Sequence, residues 1–191
     1  MAPKIERHFV RIPRGYPSAE AASFVAQFDD LSRRLREDLA GASAAELAWQ
    51  PHPGANRIGM LLAHVAIVEV FWMQRATTGV DEVQFRRVLG IGSDDDGMPC
   101  PPGARPPQTL KGWKLADYHA LEARGRRFTR RLARGFTDAD MEREVRARTR
   151  DGRRRVFNVR WILYHMLEHY AGHFGQMLLL RHLYRDRRRK H

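Results

Sequence analysis

Cysteine is almost absent from this chain: Cys100 is the only one in 191 residues. A lone cysteine cannot close an internal disulfide, so a packed core has to hold the fold, and nothing speaks for an oxidising compartment. Long apolar runs are missing as well. No stretch approaches the ~18 uninterrupted apolar residues of a membrane span. The opening MAPKIERHFVRIPRGYPS lacks the apolar segment of a secretion signal, so the cytoplasm is the expected compartment. There is no internal repeat, glycine-rich phosphate loop, GxSxG motif or pair of catalytic carboxylates. Asp94, Asp95 and Asp96 are consecutive rather than spaced D-x-D-x-D-G. Their side chains diverge, and solvation is expected rather than calcium. Lysine is scarce too: 30 of the 34 basic residues are arginine.

Arginine is what the chain has in excess, and the net charge is +12. Three segments, 122–134, 142–160 and 181–191, carry +15 between them and leave the remainder at −3. A basic balance of this size raises nucleic-acid binding. The basic segments carry no interleaved aromatics, zinc-finger spacing or recognition motif, so nucleic acid is not read as the partner.

An apolar content of 43% over this length fits one ordinary domain with a sizeable core. Residues 1–17, broken by Pro3, Pro13 and Pro17, read as an irregular leader, and 185–191 as a basic tail. Between them the apolar residues recur at helical spacing in four places. Ser18 caps a first helix running to about Gly41, with Phe24, Phe28, Leu31, Leu35 and Leu39 on its buried face. The connection 43–56 leads to Asn56, the expected cap of a second helix over about 57–77. The inward stripe of that helix holds Met60, Leu61, His64, Val68 and Phe71. Glu69 should point away, exposed or ion-paired. A short helical piece over about 81–89 is followed by a long crossover rich in Gly, Pro and Asp. Cys100 lies in that crossover and is read as a loop cysteine without a catalytic role. A third helix is expected over about 110–134, capped by Thr109, with His119 and Glu122 on its surface. Alternation around Asp151-Gly152 predicts a small basic hairpin with a type I′ turn.

The last helix, from Asn158 to about Tyr184, is the most informative stretch. Wound at 100° per residue, Trp161, Ile162, His165, His169, Gly172, His173, Gln176 and Leu180 fall in one inward stripe, apolar at its ends and polar in its middle. Buried polar groups need partners. Hydrogen bonds to other helices would supply them, and so would a metal ion held by imidazoles at i, i+4. By itself His64 reads as a core histidine in an apolar stripe. Set beside His169 and His173, it becomes a third donor for a site otherwise one ligand short.

The segments AHVAIVEVFW and HMLEHYAGHFGQM, the long crossover between their helices, and the loop LAWQPHPGAN resemble the DinB/YfiT-like superfamily over about residues 18–184. That resemblance implies an all-α, four-helix-bundle metalloprotein in a single domain. It implies His64, His169 and His173 as ligands of a divalent transition metal, zinc or nickel. His165 is a neighbour of the set, Gln176 a group that hydrogen-bonds a ligand or the substrate, and Glu168 the nearest carboxylate, about 60° off the stripe. The activity implied is transfer of a low-molecular-weight thiol to a small electrophile. A metal-dependent hydrolase and a non-catalytic metal-binding module stand as alternatives. A small-molecule substrate and a homodimeric partner fit this reading; a membrane does not.

Overall fold

Ser18 opens the first helix as its residue type predicts: its Oγ accepts the Ala21 N–H at 3.2 Å, and α1 runs over Ala19–Asp38. The computed structural model describes residue 5 and residues 7–78, 84–148 and 152–189. A single turn, α2 (Ala44–Leu47), is capped by Ser43 and precedes α3 (Ile58–Thr78). By length and composition α3 could cross a membrane, yet 72% of its most apolar window is buried inside the protein. It is the core helix. Its hydrophobicity extends around the cylinder because α5 (Leu115–Ala133) and α7 (Val159–Arg189) both pack on it. Helix α1 packs on the same two, which makes a four-helix bundle with α1 and α3 on one diagonal.

The joining pieces are short. α4 (Phe85–Leu89) is what is described of the piece expected over 81–89; residues 81–83 lie outside the described ones. The third long helix starts at Leu115 rather than near 110. Gln108–Leu110 form a 3₁₀ turn instead, and Gly112 at φ 79° then turns the chain in a way that L side chains resist. The start is fixed by the Lys114 N–H donating to Asp117 Oδ2 at 2.7 Å, not by Thr109. Helix α6 (Asp138–Glu142) leads into the hairpin. Its strands β1 (Glu144–Arg148) and β2 (Arg154–Asn158) are antiparallel with Val145 opposite Phe157. The turn expected at Asp151-Gly152 rests on residues outside those described. Asn158 then caps α7, its Oδ1 accepting the Trp161 N–H at 2.8 Å.

Phe28, Leu61 and Leu180 are buried as expected. Trp161 is not: it is 39% exposed, lying flat between Phe157 and His165. Phe71 is half-buried beneath Arg75. Glu122, expected at the surface, is interior, and Glu69, expected exposed or ion-paired, is ion-paired and buried. Glu122 is 2% exposed and accepts from Tyr170 Oη and Arg36. Glu69 is buried and grips Arg126 through two hydrogen bonds, at 2.8 and 3.2 Å. Arg126 also reaches Asp29, so one guanidinium ties α5 to α3 and α1. Arg181 of α7 donates to the carbonyls of Asp38 and Ala40, which closes the end of α1.

Candidate metal centre

One turn of α7 separates His169 from His173, and their Nε2 atoms approach to 3.1 Å. His64 faces them from α3, with ring centroids 5.1 Å from His169 and 5.0 Å from His173. The three donor nitrogens lie within 4.8 Å of one another. Two helices that are far apart in sequence thus bring together the three histidines expected to converge.

The remaining ring nitrogens fix which atoms face inward. Asp96 Oδ2 accepts from His64 Nδ1 at 2.7 Å, and its Oδ1 accepts the Met98 N–H at 2.9 Å. Gln176 Oε1 accepts from His173 Nδ1 at 2.9 Å. A carboxylate or amide oxygen can only accept here, so both imidazoles carry a proton on Nδ1, which leaves Nε2 as the atom that could hold a metal. Burial, with the neighbouring imidazoles His173, His64 and His165 adding to it, pushes the His169 pKa down to about 3. Burial lowers that of His173 as well, partly opposed by its bond to Gln176. Three imidazole nitrogens within 4.8 Å of one another are the donor set that a borderline cation such as zinc or nickel takes, so the residues fit such an ion. The carboxylate behind His64 is the kind of outer partner that orients ligating histidines.

The other candidates are placed differently. His165 stacks on Trp161 at 4.8 Å and meets Trp72 edge-on at 5.3 Å; its centroid is 5.9 Å from that of His169. It neighbours the triad without belonging to it. Glu168 is 60% exposed and sits 3.7 Å from His165 Nδ1, away from the three donors. A Cβ on Gly172 would meet nothing within 4 Å, so this glycine leaves open space beside the triad rather than room for a protein neighbour.

Asp96 is the residue that sequence reasoning missed. It is 1% exposed, whereas the run Asp94 to Asp96 reads as solvated. The run itself was the only signal, and nothing local distinguishes its third member from the other two. Only the path of the crossover over α3 does.

A protein-family model described as mycothiol S-transferase matches residues 23–186. No curated protein matches the chain.

Proposed function

The chain belongs to the mycothiol S-transferase family, within the DinB/YfiT-like superfamily, and from that premise we propose that it is a metal-dependent enzyme transferring a low-molecular-weight thiol, mycothiol or a close analogue, to a small electrophile. The observation carrying the metal-dependent part is the convergence of His64, His169 and His173, with two of their Nδ1 atoms already engaged.

His64, His169 and His173 would hold a divalent ion without cancelling its charge, and such an ion would favour ionisation of a thiol at neutral pH. The chain supplies the rest. Asp96 holds the His64 ring and its tautomer, and Gln176 does the same for His173. The buried setting of His169 keeps that ring unprotonated, and so available as a donor, well below neutral pH. Hydrolysis fits less well, because it calls for a carboxylate free to take a proton from water. Asp96 has both oxygens engaged, and Glu168 faces solvent beside His165.

The test is turnover of a chromogenic electrophile such as 1-chloro-2,4-dinitrobenzene with mycothiol. The expected rate depends on thiol, disappears on chelation and returns with added zinc or nickel. Rates indifferent to thiol, or surviving complete metal removal, would overturn this reading.

A further inference from the structure

A cavity of about 340 Å³ lies where the crossover returns over the first turn of α3. It is separate from the histidine donors, though the two share a wall element. Gly97, next to Asp96, packs on Pro107 and Met60, and both of those line the cavity. Met60, Pro107, Leu47 and Trp113 make the walls largely apolar.

Its lining holds Arg57, Lys111, Gln108 and Tyr118 and no carboxylate, so donors prevail over acceptors. Tyr118 is 4% exposed and lines the cavity, but its hydroxyl has no hydrogen-bond partner among the described residues. The hydroxyl rests on the first turn of α3, where Gly59 lacks the Cβ that would collide with it. Arg57 donates from Nη2 to Gln50 Oε1 at 3.2 Å, while its Nε is enclosed without a partner. No carboxylate pairs with Arg57 among the described residues. The N–H groups of Ile58, Gly59 and Met60 begin a helix of 21 residues and also find no acceptor there. Asn56, the expected cap, accepts none of them. Lys111 stands exposed at the rim.

Burial shows in the titration of both central groups. It pushes the Tyr118 hydroxyl up to about 12 and lowers the Arg57 guanidinium. An enclosed donor such as Arg57 Nε is costly unless an acceptor arrives.

We propose that this cavity binds a small organic carboxylate with an apolar, flat tail, its carboxylate meeting Arg57, the Tyr118 hydroxyl and the first amides of α3, and its tail lying against Trp113, Met60 and Pro107. The planar fork of a guanidinium matches a carboxylate. Arg57, half-buried, is the cation that faces the cavity, while Lys111 at the rim is exposed and screened by solvent, so a single negative charge is the one matched. The site does not require the histidine triad to function.

The experiment is calorimetric titration of the full-length, metal-loaded protein with 2-naphthoate, with 2-naphthalenemethanol as the neutral isostere and with inorganic phosphate. Saturable one-to-one binding of 2-naphthoate is expected, at least tenfold tighter than either control. Tyr118→Phe and Arg57→Gln should each weaken it several-fold or more, and His169→Ala should leave it unchanged. Tyr118→Phe removes one oxygen from a folded core, so it provides the comparison even if Arg57→Gln does not fold. The proposal falls if folded protein shows no saturable binding, if the alcohol or phosphate binds equally well, if Tyr118→Phe leaves the affinity intact, or if His169→Ala abolishes it.

Discussion

Asp96 Oδ2 sits 2.7 Å from His64 Nδ1, so a residue of the crossover sets the orientation of an imidazole on α3. The contact joins two segments that lack a common element of secondary structure, and it makes the loop part of the site.

Asp96→Asn should therefore lower metal affinity by about 10–100-fold while the bundle stays folded, because an amide can hold the ring but no longer stabilises it with a negative charge. Competition with a chromophoric chelator, alongside circular dichroism, measures both halves. Unchanged affinity would remove Asp96 from the site.

His64→Ala and His169→Ala should each reduce bound metal well below one ion per chain after dialysis, measured by elemental analysis of untagged protein. Each variant loses a ligand from a different helix. Retention of stoichiometric metal by both would refute the triad.

For the metal-free protein the pH dependence follows from His169, whose folded pKa is depressed to about 3 against an ordinary value of 6.5. Between those values the unfolded chain binds the extra proton and the folded one does not, so acid favours unfolding. Stability should be level above 6.5 on this account and fall as pH drops through 6.5 toward 3. Urea melts of the wild type and of His169→Leu, compared across that window, should show a shallower fall in the variant.

Arg126→Met would leave Glu69 buried without its cation and should cost about 3–5 kcal/mol. The double variant Arg126→Met/Glu69→Leu should recover much of that loss, since no charge is then stranded. Chemical denaturation of the single and double variants gives the comparison.

The bundle could be read in the sequence because α1 and α5 show the 3.6-residue period strongly, α3 is a long apolar helix, α7 carries its histidines one turn apart, and Ser18 announces a start. The metal-ligand candidates were legible for a related reason: His169 and His173 repeat at one turn, and His64 interrupts an apolar stripe. What stayed hidden depends on tertiary path. Glu122 looks like a surface carboxylate until Tyr170 and Arg36 arrive from other helices, and the ion pair open to Glu69 has no visible partner until Arg126 does. Trp161 looks like core by its period, but the hairpin meets it with Phe157 and leaves one face in solvent. The α5 start was misplaced because Thr109 has a capping side chain, while Gly112 and the Lys114–Asp117 pair decide the boundary.

The interior ion pair has a further consequence, for alignment along the helix axes. Glu69 lies five residues after His64 on α3, and Tyr170 directly follows His169 on α7. Both are held from α5, Glu69 by Arg126 and Tyr170 by Glu122. If α3 slipped by a turn against α7, a displacement of about 5.4 Å, at least one of these charged or phenolic groups would be stranded in the core. The same slip would carry His64 past its two partners. α5 contributes no histidine to the triad, yet it acts as the gauge block that keeps the imidazoles of two other helices at one level.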